Sequence, residues 1–118
     1  MNVLGLHLLL ELKDCNPALL NDLDYIRESL HLTARKVGAH VVGESFHHFS
    51  PQGVTGILAI AESHISIHTW PEYGYAAIDV FTCGDTVDPW EAHAFLKRAL
   101  QAHNDAVVEV GRPGVEMD

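Results

Sequence analysis

Eight side chains able to move protons, attack carbonyls or hold ions crowd into Ala61 to Gly84: Glu62, Ser63, His64, Ser66, His68, Glu72, Asp79 and Cys83, all set among apolar neighbours. Buried polar groups are costly unless paired, so this density calls for an explanation. One chemistry is a zinc site. His64 and His68 share a face of a strand, and His47 or Cys83 would add donors. Their α-carbons, however, lie about 13 Å apart at about 3.3 Å per residue, too far for easy sharing of one ion. A second is a hydrolytic triad of Ser63, His68 and Asp79. The chain lacks a Gly-x-Ser-x-Gly elbow, though, and nine histidines generate such sets by chance. The third is a hydrogen-bonded polar face of a sheet with no chemistry at all. The residues by themselves leave these three open.

The elements that must position these groups follow from hydrophobic spacing. Leu4 to Leu12 reads as a buried strand. Asn16 offers an N-cap and Pro17 a first helical position. From there Leu19, Leu20, Leu23, Ile26, Leu30, Ala34 and Val37 recur at three- and four-residue steps, one stripe on a helix of about five turns that Gly38 ends. His40 to Phe49 and Val54 to Ala61 form a hairpin across Ser50-Pro51-Gln52-Gly53. His64 to Trp70 and Tyr75 to Cys83 form another across Pro71-Glu72-Tyr73-Gly74. Asp88 caps a second helix that begins at Pro89, with Glu91 completing a capping-box pattern. Ala106 to Val110 is a last strand, followed by an irregular tail from Gly111 to Asp118. The order β-α-β-β-β-β-α-β predicts a two-layer α/β sandwich of the α+β kind: a mostly antiparallel sheet with two helices on one face. The other face must meet solvent or a partner.

The 118 residues suit a single domain, residues 1–118, and 47% apolar against 19% charged residues is globular composition. A core this small often gains stability by pairing with a copy of itself. The formal charge of −9 argues against nucleic acid, suits a cationic ligand and favours solubility. Two cysteines make no disulfide framework, and neither a signal peptide nor an apolar run long enough for a bilayer is present, so the expected location is cytoplasmic.

The segment Ala61-Glu-Ser-His-Ile-Ser-Ile-His-Thr-Trp-Pro-Glu-Tyr-Gly-Tyr-Ala-Ala-Ile-Asp-Val-Phe-Thr-Cys-Gly84 closely resembles the core of the prokaryotic S-adenosylmethionine decarboxylase proenzymes. Phe46-His-His-Phe-Ser-Pro-Gln-Gly-Val-Thr-Gly56 and Leu4-Gly-Leu-His7 are similar to that family too. The resemblance implies self-cleavage at Glu62–Ser63 into a β chain of residues 1–62 and an α chain of residues 63–118. Ser63 Oγ attacks the Glu62 carbonyl, the resulting ester eliminates Glu62 as a carboxylate, and hydrolysis of the dehydroalanine releases ammonia and leaves a pyruvoyl cofactor. The family pattern assigns His68 to proton transfer in this processing, and gives the Thr55 hydroxyl a place in stabilising the oxyanion. The pyruvoyl carbonyl then takes the substrate amine as a Schiff base and acts as an electron sink. Cys83 returns a proton to the α-carbon, a role that suits a thiol because it is mostly protonated at neutral pH. Glu72 is implied to bind the ribose hydroxyls or attract the cationic substrate, and Phe49 and Trp70 to hold the adenine. No metal is expected.

The same resemblance implies a homodimer of processed protomers, and a role supplying the aminopropyl donor for spermidine and polyamine biosynthesis. Since processing motifs do not separate substrates, ornithine or arginine decarboxylation by the same group stays open, although Glu72, Phe49 and Trp70 lean toward an adenosyl substrate; an unprocessed binding or regulatory paralogue stays open too. Two departures from the family pattern leave the processing residues untouched but bear on the substrate pocket or the dimer contact: Leu6 stands where many members carry arginine, and the chain is short after its last strand. Finally, simple alternation puts Ser63 and His68 on opposite faces, so a turn or bulge at Glu62 to His64 is expected to bring them together and strain the bond.

Overall fold

The computed structural model describes residues 2–83 and 88–115, with side chains for 5–83 and 88–111. Its strands are β1 (Asn2–Lys13), β2 (Val41–His48), β3 (Val54–Ile60), β4 (Ser63–Trp70), β5 (Tyr75–Thr82) and β6 (Asn104–Val115). They form one sheet in the order β2-β3-β4-β5-β1-β6, with every neighbouring pair antiparallel. Helices α2 (Leu23–Val37) and α3 (Pro89–Ala99) give the expected α+β two-layer sandwich.

Strand alternation decides which side chains meet the helices. Leu8, Leu10 and Leu12 of β1, Leu58 and Ile60 of β3, Ile65 and Ile67 of β4, and Ala76, Ile78 and Val80 of β5 are all buried. Against them α2 lays Ile26, Leu30, Ala34 and Val37, the expected stripe, and α3 adds Ala92 and Leu96. Tyr25 Oη donates to the Ala99 carbonyl at 2.7 Å, tying the helices together. Thr69, buried beneath them, donates to Leu20 O and accepts from Val54 N, both at 2.8 Å. The opposite residues (Thr55, Ile57, His64, Ser66, His68, Ala77, Asp79 and Phe81, with His7, Leu9 and Glu11) share the face that no helix covers.

Two expectations are corrected. The helix expected to run unbroken from Pro17 is two pieces, a short α1 (Pro17–Leu20) and α2. Asn16 caps the first through Ala18 N, and Asp22 Oδ1 accepts from Tyr25 N at 3.0 Å to restart the second. Asn21 between them turns its Oδ1 to Gly53 N at 3.0 Å and His48 Nε2 at 2.9 Å; short polar side chains compete in this way with helix continuation. The tail expected to be irregular from Gly111 instead continues β6 to Val115, paired with the start of β1. Pro113 is tolerated there because β6 is an edge strand. Residues 116–118, and Gly84 of the sequence motif, lie outside the described residues.

The other edge strand, β2, is fastened to α2 by Glu44, which accepts from Arg27 Nε at 2.7 Å and Arg27 Nη2 at 2.9 Å and pairs with His31 Nε2 at 2.8 Å. Arg27 first, then His31, holds the Glu44 carboxyl down at about 2. A carboxyl held lower in the folded than in the unfolded chain stabilises the fold above roughly pH 4.5, and that stabilisation is lost as pH falls towards about 2. Glu44→Gln should therefore lower the thermal midpoint at pH 7 and flatten its decline between those limits, read by circular dichroism melts across pH.

Candidate active site

The hairpin between β3 and β4 is closed by Ala61 and Glu62, and its geometry concentrates on the Glu62–Ser63 bond. Ala61 N donates to His40 O at 2.8 Å. The Glu62 carboxylate accepts from His40 N and pairs with His40 Nδ1, both at 3.1 Å, and these contacts hold its pKa below the usual range. Ser63 then enters β4 with φ at +145°, a conformation that L residues rarely adopt. Such strain costs of order 1–3 kcal/mol and persists only where surrounding contacts impose it. The contacts here are the ladder from Ser63 to Ile60 and Thr82 and the anchored turn.

The Glu62 carbonyl oxygen points at the end of β5. It accepts from Cys83 N at 2.8 Å and from Cys83 Sγ at 3.0 Å. Two donors on one carbonyl are what a tetrahedral oxyanion would need, and Cys83 supplies both. Cys83 is exposed, whereas Cys15 is buried, and burial, with Asp14 beside it, pushes that thiol up to about 11. Of the two thiols, only that of Cys83 is exposed and in contact with the Glu62 carbonyl.

Thr55 and His68 form a separate unit. They face each other across β3 and β4, with Thr55 Oγ1 and His68 Nδ1 2.9 Å apart. The turn expected at Glu62 exists, but it does not bring His68 to Ser63. Between the two, β4 is regular strand, and five residues at about 3.3 Å separate them by roughly 16 Å. Within one chain the donors on the Glu62 carbonyl come from Cys83, and Thr55 contacts His68 instead.

Around that second unit lies a pocket of about 330 Å³ lined by Phe49, Gln52, Gly53, Thr55, His68, Thr69, Trp70 and Glu72. All three residues expected to hold substrate are in its wall. Phe49 N donates to Gly53 O at 2.8 Å across the Ser50–Gly53 turn, and its ring meets His47 edge-on at 4.4 Å. Gly53, at φ +108°, packs so closely that a Cβ there would stand 3.1 Å from the Thr69 carbonyl. Glu72 sits in the single-turn 3-10 segment Pro71–Tyr73 that Gly74, at φ +60°, terminates.

A third group, His7, His64 and Asp79, surrounds Phe81 on the uncovered face. One donor atom from each lies within 4.8 Å of the others, with His7 Nε2 3.9 Å from Asp79 Oδ2. Zinc held at about 2.0–2.1 Å needs donors roughly 3.4 Å apart, so this set is looser than a metal centre. Burial first, then neighbouring His7, holds His64 below the ordinary imidazole range. The sequence reading missed this group, although the two-residue step from His7 to Leu9 and Glu11 put the histidine on that face. His40 was missed for a different reason: nothing in its neighbours signals a partner 22 residues away.

The family model described as S-adenosylmethionine decarboxylase matches residues 6–113. The chain belongs to the S-adenosylmethionine decarboxylase family. Among curated members, a proenzyme from Clostridium tetani is 52% identical over 112 residues, covering 95% of this chain and 89% of its own length. One from Thermosipho melanesiensis is 50% identical over 109 residues, covering 92% and 84%. The crystal structure of the adenosylmethionine decarboxylase from Aquifex aeolicus VF5 superposes with a TM-score of 0.93 at 33% identity, covering 100% of this chain and 98% of that one. Membership in this decarboxylase family bears on every feature above, because its curated members are named as proenzymes.

Proposed function

We propose that this chain is a self-processing S-adenosylmethionine decarboxylase that cuts itself between Glu62 and Ser63. The carrying observation is Glu62's carbonyl, held by the Cys83 N–H and thiol, immediately before a serine at φ +145°. In that arrangement Ser63 Oγ adds to the Glu62 carbonyl carbon, and the charge developing on oxygen falls on donors already in place. Collapse of the adduct moves the acyl group from nitrogen to Oγ. Removal of the Ser63 α-proton then expels the Glu62 carboxylate, leaving chains of residues 1–62 and 63–118. Position 63 is suited to carry a pyruvoyl group, which supplies the carbonyl that holds a substrate amine and accepts the electrons released with carbon dioxide. Cys83, in contact with the Glu62–Ser63 junction, is the acid this reading assigns to the substrate's α-carbon. The pocket aromatics Phe49 and Trp70 suit a purine, and Glu72 suits ribose hydroxyls or a sulfonium charge. These features favour an adenosyl substrate over ornithine or arginine, which have no ring to stack.

The proton-transfer unit Thr55–His68 must reach a Ser63 that its own chain keeps roughly 16 Å away. A homodimer answers this. Two copies packed through their uncovered faces about a two-fold axis perpendicular to β4 would run these strands in opposite senses and bring one copy's His68 to the other's Ser63. Exposed Ile57 and Val108 on that face supply apolar area for such a contact.

Intact-mass measurement of the purified protein is the test. Two fragments, the larger-numbered one starting with pyruvoyl instead of serine, are expected, together with carbon dioxide release from S-adenosylmethionine at least about a hundredfold above that from ornithine or arginine. A single uncut chain with an ordinary Ser63 would overturn the reading.

A further inference from the structure

We propose that Glu11 and Tyr75 are positioning residues which lock Trp70 as a stacking platform for the substrate's purine. This rests on the decarboxylase reading and names how its pocket is made selective. Trp70 and Tyr75 are cross-strand partners at the closed end of the β4–β5 hairpin. Their rings stack, with centroids 5.1 Å apart and planes 22° from parallel. Tyr75 reaches Trp70 from β5, whereas Phe49, Gly53 and Thr55 of the pocket lie on the β3 side of β4. One face of the indole is therefore occupied, and the ring's other side is turned to the pocket.

What fixes the plane is one strand further on. Tyr75 Oη donates a hydrogen bond to Glu11 Oε2 of β1. Burial, and then the Glu11 carboxylate, pushes the phenol up to about 12, so it remains a donor throughout the working range. A tyrosine ring has few rotatable bonds, and a charge-assisted hydrogen bond at its tip leaves it little freedom. Trp70 is still 38% exposed. An aromatic packed on one side and open on the other is poised to stack a planar ligand, an interaction that tolerates no large tilt.

The test compares wild type, Tyr75→Phe, Tyr75→Leu and Glu11→Gln. The probe is 5′-methylthioadenosine, which keeps the purine, ribose and sulfur and has no aliphatic amine to form a Schiff base. Calorimetric binding should weaken about three- to tenfold in Tyr75→Phe, which keeps the stack and loses one hydrogen bond, and more than about tenfold in Tyr75→Leu, which loses both. Glu11→Gln keeps an acceptor but removes the charge that assists the bond, so binding should weaken about threefold, less than in Tyr75→Leu. In matured enzyme the KM for S-adenosylmethionine should rise in parallel, with kcat per pyruvoyl group unchanged within about twofold. Reaction with phenylhydrazine, a small carbonyl reagent without a purine, should proceed at the wild-type rate in all variants. Unchanged nucleoside binding in both Tyr75 variants, or a loss confined to kcat, overturns the proposal. Nucleoside binding is read whether or not the wild-type chain matures, so failure of the decarboxylase reading is seen separately, as an uncut chain.

Discussion

Ser63→Ala is expected to remain one uncut 13.0 kDa chain with no decarboxylase activity, and His68→Ala to mature at least about a hundredfold more slowly. Expressed together, they should partly rescue each other. In a mixed dimer one site combines the intact Ser63 of the His68→Ala chain with the intact His68 of the Ser63→Ala chain, and the other site lacks both. Cleavage should thus return only in the His68→Ala chain. Random pairing makes about half of all dimers mixed, so about half of those chains should mature. The measurement is intact mass after co-expression, with a mass tag on one variant. A site complete within one chain predicts no rescue, because each chain would then carry its own defect. The Ser63–His68 separation along an unbroken strand makes the two alternatives differ by the presence or absence of a fragment, not by a small change in rate.

Most of the fold follows from patterns that are local in the sequence. Pro17 and Pro89 after Asn16 and Asp88, Gly38 in the left-handed region, and the two-residue alternation of Val54 to Ile60 each specify one element through its own residues. The failures occur where a distant partner decides. The break at Asn21 depends on Gly53 and His48, and the extension of β6 past Gly111 depends on β1 offering an unpaired edge. The site divides in the same way. Ser63, Cys83 and the aromatic pocket residues are singled out because their motif resembles a family, and the structure puts Cys83 on the Glu62 carbonyl and the aromatics in one pocket wall. That Cys83, not Thr55, contacts the Glu62 carbonyl within the chain depends on β5 ending opposite the β3–β4 turn, a matter of register between strands. The expected turn at Glu62 was sound as local chemistry, yet the inference that it would bring in His68 failed, because one kink at the start of a strand cannot fold back the five residues that follow it.

The proposed function gives Cys83 two steps, and substitution should separate them. Cys83→Ala leaves the backbone N–H on the Glu62 oxygen at 2.8 Å and removes only the thiol at 3.0 Å. Loss of one donor from an oxyanion site can cost about 10²–10³ in rate, and a thiol is among the weaker donors, so maturation should slow about tenfold and still reach completion. Turnover by the matured variant should fall further, by about 10²–10⁴, because the thiol is the group assigned to return a proton to the substrate carbon. Cys83→Ser tells the two roles apart: its hydroxyl can donate to the Glu62 oxygen and restore maturation, but an alcohol is a far weaker acid than a thiol and should leave turnover low. Cys15→Ala, which removes a buried thiol away from this junction, should alter neither rate. The decisive comparison is therefore the ratio of maturation rate to turnover across the three variants. Equal losses in both rates for Cys83→Ala and Cys83→Ser would mean that the sulfur only shapes the turn, whereas a maturation rate rescued by serine without rescued turnover requires it to donate a hydrogen bond in one step and a proton in the other.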